Sequence, residues 1–513
     1  MADYSNSTSV LLVPGQTAIA DIERIALAGD RVLLSTQALA AIEAGHACLL
    51  QHIAAGTTIY GVSTGLGANV DIPRQPGAAH AQQHDVLWAR ASGTGPVATD
   101  AQVRAMVAVR LARLALGRSG IAPAVATALV DMLNNHITPV VPCVGALSEG
   151  DLAPMAHIAS LLTGKGHASV AGRGRVSGAE AFAQVGLSLP VLGPKDGLAL
   201  ISSNSASIGL ACLNLGSIRR LMRAHIAAFA VSCEGFCANL SPFQPQSVQL
   251  RPAAGQAEVS HALLGLLDGG TLHQNGHARR LQDPISFRSA ASIAGAALES
   301  LRQAQRAVNL ELSSSDDNPA VVAETGSIIP NGNFDPTYVA VAVDALHQAL
   351  ARVAAATGER VMKMMSPSVS GLPRFLAEPG GDGTGFAPVQ KTVAALVAEI
   401  VHDATPLSPV VIPVAERVED YASLLFPALC RGQRLIARMY ELTAIEIMVA
   451  ARAIALRPPV RLGCGTQALM DRLAPLCPRL PLEQPVADNI ALLVQAIERS
   501  DFLADFSILA DNL

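Results

Sequence analysis

Long segments rich in alanine, leucine and valine follow one another between residues 196 and 470. They cover residues 197–232, 256–267, 288–310, 336–364, 388–404 and 418–453. Several are far longer than the average helix of a globular protein, which has about 11 to 12 residues. Long helices with apolar residues on more than one face usually form a bundle or an oligomer interface. The sequence therefore predicts a mainly α protein with a central bundle of long helices, assembled as a homo-oligomer.

The side chains available for the core favour close helix packing. Half of the residues are hydrophobic, but only 3% are aromatic, so the core is built from small and aliphatic side chains. The formal net charge is −5, and no basic face is evident. We therefore expect neither a nucleic acid nor an anionic membrane as a partner.

The cysteines predict neither a disulfide framework nor a metal site. They are sparse for a chain of 513 residues. Cys233 and Cys237 lie four apart rather than in a CxxC pair, and no second pair at zinc spacing follows. We expect free thiols that act as small hydrophobic side chains. The eight residues are Cys48, Cys143, Cys212, Cys233, Cys237, Cys430, Cys464 and Cys477.

The first 195 residues have a mixed pattern. Residues 8–13 and 31–35 resemble short strands, and Ala101–Leu116 has apolar residues at helical spacing. We therefore predict an α+β region over 1–195 and a helical region over 196–513. The N-terminus lacks the basic and apolar stretches of a signal peptide. The most apolar segment, 198–218, is interrupted by polar residues, so we expect a soluble, cytoplasmic protein.

Polar, glycine-rich loops interrupt the apolar background, and functional sites are usually built on such loops. Tyr60 opens one of them, and its phenol is suited to act as a general base if nearby charge lowers its pKa; the alternative is a packed surface tyrosine. Arg288 follows another polar turn, where it either clamps a carboxylate with two parallel hydrogen bonds or caps a helix. The loops cover residues 60–69, 145–154, 282–288, 311–319, 331–337 and 381–386.

Together, the motifs in these loops resemble those of the histidine and phenylalanine ammonia-lyase family. The family carries, in order, YGVNTGFG, ASGDLAPL, QDxYSxR, ELNSxTDNP and GGNFHG. This chain has YGVSTGLG at 60–67, LSEGDLAPM at 147–155, QDPISFR at 282–288, ELSSSDDNP at 311–319 and NGNF at 331–334. The resemblance spans about residues 8–510. It implies an ammonia-lyase/fumarase-like fold and a homotetramer in which each active site is assembled from three subunits.

One departure from the family concerns its cofactor. The family makes an electrophile, methylidene-imidazolone, from Ala-Ser-Gly by cyclisation and loss of water from the serine. Aligned on the following Asp-Leu-Ala-Pro, the triplet here is Ser148-Glu149-Gly150. A glutamate has no β-hydroxyl to eliminate. Shifting the frame centres Ser148, but Glu149 must then supply the cyclising nitrogen in place of glycine. We therefore expect no cofactor.

Other family positions are changed as well. The family's histidine in NLVLSH falls at Arg90. Its catalytic asparagine in LALLNGTQ falls at Ser202, with Asn204 two residues on as a partial substitute. The family's GFMIAQY becomes GFAPVQK and brings in Lys391, whereas NQEDH becomes RVEDY and retains Glu419.

Tyr60, Arg288, Phe334 and Glu419 persist although the cofactor residues do not, which argues against simple decay. The chain thus also resembles the cofactor-free ergothionase branch of the family. That resemblance implies elimination of trimethylamine from ergothioneine, or from a similar betaine, to give thiourocanate. It implies that Lys391 and Glu419 polarise the substrate ring.

The same resemblance suggests roles for the remaining residues. Tyr60 removes the β-proton, and Arg288 holds the carboxylate. Phe334 faces the methyl groups, while Glu149 offsets the quaternary charge. The substrate pocket is completed by Arg90, Ser202, Asn204 and Gln282.

Lys391 and the activity each allow an alternative interpretation. Lys391 lies in an otherwise apolar stretch, where it is either paired or at a cavity, or extends its amine to solvent. The protein is alternatively a cofactor-free lyase for another histidine-like amine or betaine, or a non-catalytic tetramer that binds an imidazole-like ligand.

Overall fold

The computed structural model describes residues 8–74, 79–170, 174–274, 276–380, 383–407, 412–479, 482 and 484–499. Residues 381 and 382 of the predicted loop 381–386 lie outside these ranges. The chain forms two compact units. The first contains residues 1–216, 305–343 and 406–430, and the second contains residues 217–304, 344–405 and 431–513. The predicted division at 195/196 assumed two consecutive segments, whereas each unit is assembled from separate parts of the chain.

The described strands are short and belong to the first unit. β1 and β2 pair in parallel, and β3 pairs with β5. β4, β6 and β7 form an antiparallel sheet, and β8 and β9 form a hairpin. The strands are β1 (Ser9–Leu12), β2 (Arg31–Leu34), β3 (Thr94–Val97), β4 (Ile137–Pro139), β5 (Pro142–Val144), β6 (His167–Val170), β7 (Gly174–Ser177), β8 (Ala320–Val322) and β9 (Ser327–Ile329).

Helices make up most of the described chain. The earlier ones are α1 (Ile19–Glu23), α2 (Thr36–Ala54), α3 (Ala79–Arg90), α4 (Asp100–Leu114), α5 (Pro123–Asn134), α6 (Leu152–Ser160), α7 (Gly178–Gln184) and α8 (Asp196–Ile201). The later ones are α9 (Ser205–Phe236), α10 (Pro245–Gln249), α11 (Ala254–Leu266), α12 (Ile285–Arg288), α13 (Ala290–Leu312), α14 (Thr337–Met364), α15 (Pro367–Ser370), α16 (Val389–Asp403), α17 (Leu425–Ala455), α18 (Cys464–Leu473) and α19 (Val486–Glu498).

The long apolar segments are helices, as predicted, and α9, α13, α14 and α17 are the longest of them. Two boundaries differ from the sequence pattern. The segment 197–232 is broken between α8 and α9, because Ser203 and Asn204 bind a buried carboxylate instead of continuing the helix. The segment 418–453 becomes helical only at Leu425, since the preceding loop includes Ala415, Glu416 and Arg417, all with positive φ.

A buried ion network lies inside the first unit. Arg110 of α4 donates to Asp316 at 3.1 Å and to Asp317 at 2.7 Å. Arg113, one turn later, binds Glu311 at 2.7 Å and also pairs with Asp316. The two arginines are 1% and 0% exposed. Charges this deeply buried require partners, because removing a partner leaves an uncompensated charge in a low-dielectric interior.

Two helical stretches, Asp196–Phe236 and Thr337–Met364, are long and apolar enough to cross a membrane by length and composition. In their most apolar windows, 89% and 61% of the residues are buried within the protein. Core helices of a soluble protein have the same properties, so these stretches are weak grounds for a membrane span.

The ion network leads to a prediction about stability. Arg113→Met leaves Glu311 and Asp316 short of a partner, and we expect the free energy of unfolding to fall by about 3–5 kcal/mol. Arg118→Met is the control, because Arg118 pairs with Glu324 at the surface and such pairs contribute about 0–1 kcal/mol. Chemical denaturation measures both losses, and equal losses would contradict a special role for the buried network.

Candidate active site

A cavity of about 660 Å³ lies within the first unit, where loops from all three of its chain segments meet. The residues predicted for the site that line it are Tyr60, Arg90, Glu149, Ser202, Phe334 and Glu419. The other lining residues are Leu66, Gly67, Ala68, Asn69, Leu152, Leu198, Asn318, Gly332, Asp335, Ala415, Val418, Asp420 and Tyr421. The structure thus brings together predicted residues that are up to several hundred positions apart in the sequence.

The loop that begins at Tyr60 folds back on its own tyrosine. The backbone N–H of Gly67 donates to the Tyr60 hydroxyl oxygen at 2.9 Å. Gly67 has a φ of +57°, a conformation that favours glycine. A Cβ at Gly67 would lie 3.9 Å from Oε1 of Glu419. The phenol oxygen is therefore held by a backbone donor close to a carboxylate of the cavity.

The segment around Glu149 is fixed by hydrogen bonds on its buried side. Ser148 is 1% exposed, and its hydroxyl oxygen accepts from the N–H of Phe426 at 2.7 Å and contacts the Ser207 hydroxyl at 3.0 Å. The carboxylate of Asp151 accepts the N–H and the hydroxyl of Ser207 at 2.6 and 2.9 Å. Burial raises the pKa of Asp151 to about 6, and the bonds from Ser207 oppose that rise. With its neighbours anchored in this way, Glu149 lines the cavity, as does Leu152 of the same segment.

The residues at 148–150 do not fit a methylidene-imidazolone. Glu149, in the central position, has no hydroxyl to lose. The shifted frame would dehydrate Ser148, whose hydroxyl is instead engaged with Phe426 and Ser207. That frame also needs a ring closed through the nitrogen of Glu149 rather than of a glycine. The segment therefore lacks the residues from which this electrophile forms.

Glu149 and Glu419 form a carboxyl pair in the cavity. Partial burial raises the pKa of Glu149 to about 7, and the charge of Glu419, a hydrogen bond with it, and the charges of Asp335 and Asp420 act in the same direction. Oε1 of Glu149 is buried without a hydrogen-bond partner. Two adjacent carboxyls cannot both ionise freely, so a proton shared between them satisfies the geometry.

Arg90 is the one cationic side chain among the described residues that line the cavity. Burial lowers the pKa of its guanidinium, whereas the charges of Tyr60 and Glu419 raise it. Four acidic residues also line the cavity, namely Glu149, Asp335, Glu419 and Asp420. Even with one carboxyl protonated, the lining carries more negative than positive charge. The cavity therefore suits a ligand with a cationic group.

Hydrogen bonds connect the loop of Phe334 to the ion network. The amide of Asn331 donates to the carbonyl of Asp317 at 2.9 Å, and its backbone N–H donates to Oδ1 of Asn318 at 3.0 Å. The N–H of Asn333 then donates to Oδ1 of Asn331 at 2.9 Å. Phe334 is thus positioned by the same acidic motif that binds the buried arginines.

Asn204 has a different position from the one predicted. It is fully buried, and its backbone N–H donates to Asp316 at 2.8 Å. Its side-chain amide donates to Glu311 at 3.1 Å and accepts from Arg113. These bonds engage its side chain in the ion network, and it does not line the cavity. The prediction rested on the alignment, in which Asn204 lies two residues from the position of the family's asparagine. In the structure, its bonds to buried charged residues hold it in the core.

The remaining predicted residues belong to the second unit. Arg288 ends α12, and its guanidinium donates to Oε1 of Gln282 at 2.6 Å. Lys391 lies in the first turn of α16 and is exposed. The sequence predicted either an amine that is paired or at a cavity or one that extends to solvent, and the exposed position of Lys391 within a single chain is that of the second alternative. None of the three lines the cavity of the first unit, and their catalytic and binding roles remain predictions.

Acidic residues of the cavity were missed at the sequence level. Asp335 follows Phe334 where the family's GGNFHG has histidine, and Asp420 follows Glu419 directly. The exchange of histidine for aspartate at 335 was the available indication of an acidic site. Among the described residues, no group of three or more His, Cys, Asp or Glu side chains is arranged to hold a metal ion.

Comparisons with known proteins agree with these motifs. The model of the aromatic amino acid lyase family matches residues 17–475. Histidine ammonia-lyase from Bradyrhizobium diazoefficiens is 33% identical over 495 residues, which cover 96% of this chain and 95% of that protein. Histidine ammonia-lyase from Paracidovorax citrulli is 34% identical and covers 87% of each chain.

The fold of this chain is similar to several solved structures over nearly its whole length. The fold is similar to that of the ergothioneine-degrading enzyme ergothionase from Treponema denticola, solved in complex with desmethyl-ergothioneine sulfonic acid. The TM-score is 0.91 at 26% identity, with 98% of this chain and 99% of that chain covered. Phenylalanine aminomutase from Pantoea agglomerans gives a TM-score of 0.92 at 28% identity, with 96% and 100% covered.

The mainly helical architecture and these matches define an ammonia-lyase fold. The chain belongs to the aromatic amino acid lyase family, whose histidine ammonia-lyases and related enzymes are carbon–nitrogen lyases.

The raised pKa of Glu149 predicts a pH-dependent stability. Because the folded state favours the protonated carboxyl, this stabilisation is present at low pH and is lost as the pH rises through about 7. The glutamine of Glu149→Gln cannot ionise. The melting temperature of this variant, relative to that of the wild type, should therefore increase between about pH 5 and about pH 8. Thermal unfolding across this range measures the difference.

Glu180→Gln serves as the control for that series. Glu180 is exposed, and hydrogen bonds from Ser177 lower its pKa. Its contribution is therefore lost only at more acidic pH, and its curve should stay parallel to that of the wild type over the same range. Parallel curves for Glu149→Gln would rule out the strained carboxyl pair.

Proposed function

We propose that this protein is a lyase that eliminates trimethylamine from ergothioneine to give thiourocanate, without methylidene-imidazolone. The observation that carries the proposal is Glu149, a carboxyl that lines an acidic cavity at the position where the family dehydrates a serine. The similarity to an ergothionase over nearly the full chain supports it. Many sequence relatives carry the name histidine ammonia-lyase, but the residues at 148–150 do not fit that family's electrophile.

The leaving group explains why an electrophile is unnecessary. An ammonia-lyase must expel a poor leaving group and remove a weakly acidic β-proton, and the electrophile assists both. A trimethylammonium group departs directly as neutral trimethylamine when the carbon–nitrogen bond breaks. The remaining requirement is to stabilise the negative charge that develops as the β-proton is removed.

The charge of the cavity supports a quaternary ammonium substrate. The pair of Glu149 and Glu419 retains at least one negative charge unless both carboxyls are protonated, and Asp335 and Asp420 add to the field. Burial and the neighbouring carboxyls raise the pKa of Glu149, and a cation bound next to it would offset the repulsion between those carboxyls. The ring of Phe334 lines the same cavity, and a cation–π contact with the methyl groups contributes about 0.5–2 kcal/mol.

Tyr60 is suited to be the base. Its hydroxyl oxygen accepts from the N–H of Gly67, so a backbone donor stabilises negative charge on that oxygen. The guanidinium of Arg90 interacts with it through charge. In the proposed step the Tyr60 oxygen takes the β-proton. The electrons of the C–H bond then form the carbon–carbon double bond, and the C–N electron pair leaves with trimethylamine.

Residues of the second unit complete the proposal through a homotetramer. The family resemblance implies active sites assembled from three subunits, so Lys391, Arg288 and Gln282 of neighbouring subunits are available to this cavity. Lys391 together with Glu419 would then stabilise charge on the thioimidazole ring, with each preorganised donor contributing about 3–4 kcal/mol. Arg288 would hold the substrate carboxylate. A cytoplasmic location is part of the same proposal.

Incubation of the purified protein with ergothioneine tests the function. We expect thiourocanate, followed by its absorbance, and trimethylamine in equal amounts. Turnover of hercynine or histidine but not of ergothioneine would instead support a lyase for another histidine-like amine or betaine. Binding without turnover of any of the three would favour a non-catalytic ligand-binding protein.

Substitutions test the roles of the residues in the same assay. Tyr60→Phe removes the base and should lower kcat by about 10²- to 10⁴-fold without unfolding the protein. Its control is Tyr440→Phe, because Tyr440 belongs to the second unit, where its hydroxyl donates to the carbonyl of Ser217. Lys391→Met should also abolish turnover. Its control is Lys363→Met, because Lys363 is a half-buried helix lysine of the second unit that pairs with Glu359. Near-normal activity of either test variant removes that residue from the mechanism.

The absence of the electrophile has a separate test. Formation of methylidene-imidazolone releases two water molecules, so the intact mass should equal the mass of the unmodified sequence. A mass lower by two waters, located by peptide mapping to residues 148–150, would contradict the proposed chemistry even if ergothioneine were consumed.

A further inference from the structure

Two cysteines lie side by side next to the segments that carry the carboxyl pair. Cys143 lies on β5, which leads into the segment of Glu149. Cys430 lies on α17, which follows the loop of Glu419. A hydrogen bond joins their side chains. Neither cysteine forms a disulfide, and both are of intermediate burial.

Backbone contacts hold the two segments together independently of the sulfur atoms. The N–H of Leu424 donates to the carbonyl of Leu147 at 3.0 Å, and the N–H of Phe426 donates to the Ser148 hydroxyl at 2.7 Å. Residues four apart on a helix lie on the same face, so Cys430 follows Phe426 along the face of α17 that meets this segment. The thiol contact is thus part of a fixed junction in the first unit.

The pKa of Cys143 is shifted in the opposite direction from the pKa of several buried cysteines. Burial raises the pKa of the Cys212 and Cys233 thiols, and raises that of Cys477 to about 12. The hydrogen bond from Cys430 instead lowers the pKa of Cys143. The thiolate is the reactive form of cysteine, so Cys143 is the better nucleophile and Cys430 is in position to act as its resolving thiol.

We propose that Cys143 and Cys430 form a reversible disulfide in the presence of a peroxide. The Cys143 thiolate attacks one peroxide oxygen of hydrogen peroxide and becomes a sulfenic acid, while the other oxygen leaves as hydroxide and takes up the proton of the thiol to form water. The Cys430 sulfur then attacks the sulfenic sulfur, the S–O bond breaks and a second water leaves. Two thiols are oxidised and one peroxide is reduced, and small thiols reverse the reaction by exchange.

The bond would connect the two segments that carry Glu149 and Glu419. Neither cysteine lines the cavity, so oxidation restrains the junction behind the carboxyl pair without occupying the substrate space. The modification therefore does not depend on the proposed lyase reaction.

Thiol counting and peptide mapping test the disulfide on the full-length protein. Treatment with hydrogen peroxide near one equivalent should reduce the thiols titrated after denaturation from the eight of the sequence to six. The map should show a peptide that joins residues 143 and 430. A small thiol reductant should restore all eight.

Single substitutions give the controls. Cys143→Ser and Cys430→Ser should each leave no intramolecular cross-link after treatment. Cys464→Ser should behave like the wild type, because Cys464 is an exposed thiol outside the pair. Sulfenic or sulfinic acid at Cys143 without the cross-link would overturn the proposal. So would cross-links between chains through Cys464, or a full thiol count under conditions that oxidise a reference dithiol.

Discussion

The carboxylate of Asp316 is the interaction on which the first unit depends. It pairs with Arg110 and Arg113 of α4, and it also accepts from the hydroxyl of Ser203 and the N–H of Asn204. Ser203 and Asn204 lie between the end of α8 and the start of α9. Their bonds to this one buried carboxylate therefore fix the helix break, next to which Ser202 lines the cavity. Because no water replaces a lost partner in such an interior, the helices and the loop must come together as one unit.

The cavity retains the scaffold of the family but differs in its charge. A glutamate replaces a hydroxyl residue at 149, an aspartate follows Phe334, and an arginine occupies the histidine position at 90. These changes support one another, because the carboxyls create an acidic field and Arg90 balances part of it beside Tyr60. In the proposed mechanism, the site uses fixed charge where the family uses a reactive double bond.

Much of this arrangement could be predicted from the sequence. Helix periodicity located the long helices, and ordered motifs identified Tyr60, Arg90, Glu149, Phe334 and Glu419 as residues of one site, and all of them line one cavity. The helix break at 202–204 and the buried position of Asn204 depend on Asp316, more than a hundred residues away, so local pattern gave no indication of them. The sequence left two alternatives for Lys391, because an apolar stretch does not reveal which face of its helix points outward; within a single chain the residue is exposed.

The cavity draws its lining from three separate stretches of the chain, near residues 60–202, 318–335 and 415–421. No contiguous fragment shorter than this span contains the complete site. During synthesis, the ribosome must therefore deliver most of the polypeptide before a ligand has anywhere to bind. Contacts between such distant stretches form slowly. Arg110 and Arg113 are also synthesised before their acidic partners, so they are unpaired in the nascent chain until residues 311–317 have been translated.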